Sequence, residues 1–176
     1  MFVKLGAEKP GVRMPIKLVV TIDVEEEGLF SNRYDPHNRS VTNVRQLVTL
    51  DATFQEFGIR PCLMVTYPVI THGPSADLLN ALREKWRGEI GAHLHYWNTP
   101  PLTALPDPAP VPSESIPGDL LTEKLHTLLD AIRARGTEPT AFRMGRFNFG
   151  SRMLSVLEKA GISVDSSVAP MRRYYG

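Results

Sequence analysis

The strongest limit on what this chain can fold into is an alternation along its length. Five short runs rich in branched apolar side chains, residues 17–22 (KLVVTI), 62–67 (CLMVTY), 89–95, 140–144 and 162–165, are separated by stretches with apolar residues at helical spacing. The helical stretches cover residues 44–57, 75–87, 119–135 and 151–160, and each is followed by a glycine, Gly58, Gly88, Gly136 or Gly161, of the kind that ends a helix. In the third, Leu121, Leu125, Leu128 and Ile132 make one stripe. In the second, Ser75 is placed to cap, with Asp77 in the first turn and Lys85 and Arg87 in the last. Strands that alternate with helices pair in parallel, because the crossover returns each strand to the same edge of the sheet in the same direction. The fold class is therefore α/β, with a mainly parallel sheet that is either open or closed into a barrel.

Two segments depart from this regularity. Residues 96–117 hold seven of the 15 prolines in 22 positions, too dense for a helix or a central strand, and are expected to form a long irregular excursion after the third strand. The chain also ends at Arg172-Arg173-Tyr174-Tyr175-Gly176, with no helix to cover the fifth strand, which is expected of a domain cut short at its C-terminus. A length of 176 residues suits one domain, taken as 1–176. The net charge of +1 removes the basic excess that a nucleic-acid or anionic-membrane binder needs. No apolar run approaches the roughly 18 residues of a membrane span. Residues 1–20 carry scattered charges and two prolines instead of a signal-peptide core, and the one cysteine, Cys62, cannot form an internal disulfide. The expected location is the cytoplasm, with Cys62 a buried, inert thiol.

Ligands in parallel α/β folds gather at the carboxyl ends of the strands. Those ends carry Asp23 and Glu25, Tyr67, His93 and His95, Arg143, and Asp165. Side chains two apart on an extended segment share a face, so Asp23 and Glu25 point into one cavity, and so do His93 and His95. Two imidazoles and a carboxylate, here His93, His95 and Glu25, make three arms of a divalent metal site with a fourth position left open, the arrangement that serves amide and ester hydrolysis. Each element has a plainer reading: the histidines as exposed or satisfied side chains, Glu25-Glu26-Glu27 as a solvated turn, and Arg143 as a surface ion pair. Their placement on one end of successive strands favours the site. The glycine cradles of nucleotide-binding loops, the serine elbow of hydrolases and paired CxxC cysteines are absent from the sequence. Trp97 opens the proline-rich segment and offers an aromatic face for a sugar ring or for packing. His37, His72 and His126 fall at surface positions, and Trp86 follows the apolar spacing of its helix.

These residues resemble the metal-dependent polysaccharide deacetylase family of carbohydrate esterases over residues 17–170. Thr21-Ile22-Asp23-Val24-Glu25 resembles the family's first motif, Glu89-Ile90-Gly91-Ala92-His93 its second, and Phe142-Arg143-Met144-Gly145-Arg146 its third. Asp165-Ser166-Ser167-Val168-Ala169-Pro170 is similar to a segment common in a branch associated with bacterial O-antigen and capsule synthesis. The resemblance implies a distorted, incomplete (β/α) barrel that removes acetyl groups from sugars with Zn or a similar divalent metal. It implies Asp23 as general base, Arg143 as the partner that orients it, and Glu25, His93 and His95 as metal ligands. Trp97, Arg146 and Asp165 become the substrate-binding candidates, with a backbone N–H near Arg146 facing the oxyanion. Three departures stand out. Trp97 occupies the position of the family's usual second histidine, so His95 must substitute; Gly145 stands where proline is common; and the motif that carries the general-acid histidine falls beyond Pro170. The expected partner is an acetylated amino sugar, nucleotide-linked or within a surface polysaccharide. Two alternatives stand beside it: a catalytically silent sugar-binding relative, and another metal hydrolase on a similar barrel.

Overall fold

The computed structural model describes residues 17–29, 34–103, 116–148 and 150–171. Five parallel strands, β1 (Thr21–Val24), β2 (Cys62–Val65), β3 (Glu89–Leu94), β4 (Ala141–Met144) and β5 (Val164–Asp165), form one sheet in the order β1-β2-β3-β4-β5. Each strand pairs with the next in sequence, so every crossover advances the same way. With the usual right-handed crossovers, all the intervening helices then lie on one side of the sheet. Those helices are α1 (Asp51–Phe57), α2 (Tyr67–Thr71), α3 (Gly73–Trp86), α4 (Gly118–Arg133) and α5 (Arg152–Lys159). This is the arc of an incomplete (β/α) barrel, with β1 and β5 as its edges.

The register sorts the strand residues into two faces. Val24, Val65, Ala92 and Phe142 align across four strands and are buried, and they face the helices. The neighbouring positions Asp23, His93 and Arg143 point to the opposite face. In a flat sheet, β1 and β4 would stand three spacings apart, about 14 Å. Arg143 Nη1 nevertheless lies 2.5 Å from Asp23 Oδ1. The sheet is therefore curled, with its concave face toward these polar groups.

Most sequence-derived elements stand, with shifts at their ends. The first strand spans Thr21–Val24 instead of residues 17–22, because its partner β2 begins at Cys62; Leu18 and Val19 are 81% and 78% exposed. The first helix opens with a 3-10 segment, Thr42–Leu50, before α1. Tyr67, expected at a strand end, instead starts the short α2. α3 begins at Gly73 with no side-chain cap, while Ser75 hydrogen-bonds His72 at 2.8 Å. It ends with Arg87 in the left-handed conformation. Gly88, expected to be that stop, instead lies where a Cβ would meet Pro61 O at 2.4 Å. The fifth strand is only Val164–Asp165. The proline-rich excursion is irregular through residue 103, and its residues 104–115, like the chain end at 172–176, lie outside the described residues. Among the described residues, no helix is long and apolar enough to cross a membrane. Cys62 is half-buried, and burial pushes its thiol up to about 11.

The α4 stripe contains an unexpected member. Leu121, Leu125, Leu128, Leu129 and Ile132 are buried, each contributing roughly 1.5–3 kcal/mol at most. That total is large enough to carry Lys124, which lies on the same face at i+3 from Leu121 and is 2% exposed. Its Nζ donates to the carbonyls of Thr99 and Pro101, both at 2.6 Å, and so ties α4 to the segment after β3. Burial lowers its amine to about 8 from 10.5. Between those values the unfolded chain binds more protons than the folded one, so this group makes stability rise with pH. Lys124→Met strands two carbonyls and is expected to cost about 1–3 kcal/mol in urea unfolding. The variant should also flatten the rise in stability across that pH window.

Candidate metal centre

β1 delivers Asp23 and then Glu25 to the concave face, and β3 delivers His93 and then His95. Glu25 Oε2 lies 3.3 Å from His93 Nε2 and 3.2 Å from His95 Nε2. The three ligand atoms lie within 4.8 Å of one another. The other nitrogens of the two rings are already engaged. His93 Nδ1 meets the Arg143 carbonyl at 3.0 Å and His95 Nδ1 meets Glu26 Oε1 at 2.9 Å. Both partners accept, so each Nδ1 donates to its own partner and each ring turns its Nε2 toward Glu25, where a lone pair is available to a cation. Three acceptors converging on one point repel unless a proton or a cation sits among them. The donor set therefore fits a divalent metal, and for Zn it is the familiar pairing of imidazole with carboxylate.

The ionisation of these groups follows the same geometry. Burial alone would raise the Glu25 carboxyl, but the hydrogen bonds and charge of His93 and His95 bring it down to about 2. Burial alone would lower the His95 pKa, but Glu25 on one nitrogen and Glu26 on the other raise it instead. A cation held there by Glu25, His93 and His95 would take the place of a proton at Nε2.

Glu26 is the residue that sequence reasoning missed. It is 2% exposed, and its carboxylate accepts from His95, from Asn98 Nδ2 at 2.6 Å, from Trp97 Nε1 at 3.3 Å and from Thr66 Oγ1 at 3.1 Å. Burial works against its ionisation, and these donors lower its pKa all the same. Glu27 turns outward to accept from Ser40 and Thr42, which fixes the loop after β1. The three carboxylates thus serve three different purposes and do not form a solvated turn. A run of acidic residues at the end of a buried strand, matched by His95-Tyr96-Trp97-Asn98, was the available signal.

A cavity of about 370 Å³ opens beside the cluster, lined by Asp23, Glu25, Leu29, Tyr34, His93, His95, Trp97, Arg146 and Phe147. Asp23 is held from behind by Arg143, which also reaches Thr21 Oγ1 at 2.8 Å and Ser166 Oγ at 3.2 Å and lies over the Phe147 ring at 5.0 Å. Of the substrate-binding candidates, Arg146 is exposed at the cavity and Trp97 forms part of its wall. Trp97 is buried, with its ring stacked on His95 at 4.2 Å and met edge-on by Tyr34 at 4.8 Å. Asp165 does not line the cavity: its Oδ1 accepts from Ser167 N and Oγ, and Ser167 Oγ in turn accepts from Met144 N. His37, His72 and His126 are exposed and lie off the cavity, and Trp86 packs in the core with its Nε1 on Asp51 at 2.9 Å.

No family model matches the sequence, and no curated protein matches it. Among solved structures, the fold matches that of a mutant CE4-family pseudoenzyme with restored enzymatic activity. The TM-score is 0.50 and the identity 11%, over 84% of this chain and 43% of that one. The likeness is one of fold, a strand-and-helix arc of the same kind. This chain spans less than half the length of that structure.

Glu26→Gln keeps the size of the side chain and an acceptor oxygen for His95, Trp97 and Asn98, with its NH2 toward Thr66 Oγ1, but removes the negative charge behind the His95 ring. Its expected effect is a loss of about 10- to 100-fold in Zn affinity, read by competition with a chelating dye. A Glu25→Gln variant provides the upper limit of the loss.

Proposed function

We propose that this protein is a metal-dependent deacetylase of acetylated amino sugars, with Glu25, His93 and His95 holding a divalent cation, Zn in the first instance. The observation that carries this reading is the convergence of Glu25 Oε2 and the two Nε2 atoms at one wall of a cavity where the Asp23–Arg143 pair also faces. A divalent cation bound there supplies Lewis acidity to a carbonyl oxygen and lowers the pKa of water. Asp23, two residues before Glu25 on the same face, is the base that accepts the proton of the attacking water. Arg143 fixes its direction through Nη1 at 2.5 Å. The backbone N–H at Arg146 is assigned to the developing oxyanion. Its position is tightly set, because a Cβ at Gly145 would come within 2.6 Å of His95 Cδ2 and 2.9 Å of Leu94 O. The likeness in fold to a CE4-family protein and the motif resemblance support the same chemistry, and the motifs favour a precursor or polymer of a bacterial surface polysaccharide as substrate.

A second reading has a specific observation behind it. Among the described residues, His93 and His95 are the only histidines at the cavity, so no further imidazole is placed there to protonate a leaving amine. A sugar-binding protein with little turnover would be served by the same geometry, and the fold neighbour is a mutant of a pseudoenzyme, with its activity restored.

The two readings separate in one experiment. Zn-loaded protein incubated with N-acetylated sugars should release acetate, and Asp23→Asn should keep the metal while losing about 10²–10⁴-fold in turnover. Metal content is followed by elemental analysis. Metal bound at one per chain with no acetate released from any sugar favours the binding protein, and metal retained by the His93→Ala, His95→Ala double variant refutes the site.

A further inference from the structure

An unusual turn after β4 sets one aromatic ring between Arg143 and the cavity. Phe147 lies four residues after Arg143, and extended backbone would carry it roughly 13 Å away. Instead its ring comes back until the guanidinium carbon lies over it, 5.0 Å from its centre. The return begins at Gly145, which packs on His95 with no room for a Cβ. It is completed by Arg146 at φ 62° and Phe147 at φ 51°, two successive side-chain-bearing residues in the left-handed region. Glycine would adopt that conformation without steric cost. The chain thus accepts strain at two positions in the turn that brings this ring to this guanidinium.

The ring divides two surfaces. Asp23 and Phe147 line the cavity, whereas Arg143 does not, although it bonds the first and lies against the second. Arg143 gives Nη1 to Asp23 Oδ1, Nη2 to Thr21 Oγ1 and Nε to Ser166 Oγ. It therefore holds Asp23 through one oxygen, which leaves Oδ2 for the proton of the attacking water. A single bond of this kind has a natural rival. A free carboxylate can face a guanidinium with both oxygens at once, and that paired geometry is the stronger one. Deacetylation releases such a carboxylate, acetate, beside Asp23. We propose that Phe147 is a positioning residue that screens Arg143 from the cavity, so that product acetate does not draw the guanidinium away from Asp23. An aromatic ring suits this task, because it steadies a cation lying over it and takes no conventional hydrogen bond from it. The proposal deepens the deacetylase reading and rests on it for the source of the acetate, while its test reads the side chain of Arg143 directly.

The test is NMR of the 15N-labelled, Zn-loaded full chain, in which the Nε–H signal of Arg143 is assigned by its loss in Arg143→Lys. In the parent this signal should hold its position as acetate is added. In Phe147→Ala it should move at an acetate concentration at least about 10-fold lower than any that moves it in the parent, and the response should weaken as salt rises. Phe147→Tyr, which keeps the ring, should match the parent. Phe147→Leu, which keeps bulk without a ring, should fall between the parent and Phe147→Ala, and it carries the test if the alanine variant does not fold. Acetamide, neutral and of similar size, should move the signal in none of them. A phenylalanine with a merely structural role would lower the melting temperature on substitution without creating a response to acetate. A response to acetate no greater in Phe147→Ala and Phe147→Leu than in the parent, or a response to acetamide equal to that to acetate, would overturn the proposal. Absence of acetate release from every N-acetylated sugar would instead overturn the deacetylase reading, with the Arg143 signal still deciding whether Phe147 is a screen.

Discussion

The contact on which the rest of the site depends is the one Arg143 makes across the curled sheet. Its side chain holds Asp23 and Thr21 on β1 and Ser166 after β5, so one guanidinium joins the first strand to the last two. Its backbone carbonyl receives His93 Nδ1 and so fixes which nitrogen of that ring faces the cavity. A buried ion pair on its own is weak support for stability, because desolvation offsets the attraction. Here the guanidinium finds several partners, and the same residue sets both the orientation of the proposed base and the tautomer of a proposed ligand. The chemistry and the curvature of the sheet are therefore coupled through a single side chain.

The other half of the site is held from the opposite direction. Glu26 gathers His95, Trp97 and Asn98 around one carboxylate, and Lys124 from α4 takes the carbonyls of Thr99 and Pro101 just beyond. A stretch of irregular backbone is thereby fixed by a buried anion at one end and a buried amine at the other. Loops that carry functional side chains need such anchors, since they lack the ladder bonds that hold a strand.

The sequence made Asp23, Glu25, His93, His95 and Arg143 legible because strand periodicity is strict: residues two apart share a face, and successive parallel strands bring their carboxyl ends to one rim. Glu26 was not legible, for alternation turns it away from the face shared by Asp23 and Glu25, and its partners are 40 to 72 residues away along the chain. Lys124 was hidden by its own chemistry, since a lysine on an apolar stripe is ordinarily assigned to its edge. The first strand starts four residues later than its composition suggests because Lys17-Leu18-Val19 lies ahead of the start of β2, whose Cys62 N–H reaches back only to the Val20 carbonyl. Asp165 shared the rim in sequence order, yet Ser167 folds back on it, a local turn that apolar periodicity does not encode.

The stacking of Trp97 on His95, at 4.2 Å and an interplanar angle of 28°, has an optical consequence. The chain has two tryptophans, and the other, Trp86, sits on α3 against Phe54 and Asp51. An imidazole that exchanges a proton for a cation changes the electron demand on the indole lying against it, whereas Trp86 has no such neighbour. Were the proposed centre to take up a cation, the emission of Trp97 would respond, while that of Trp86 would stay steady. Filling of the proposed centre would then be followed in solution without attaching a dye.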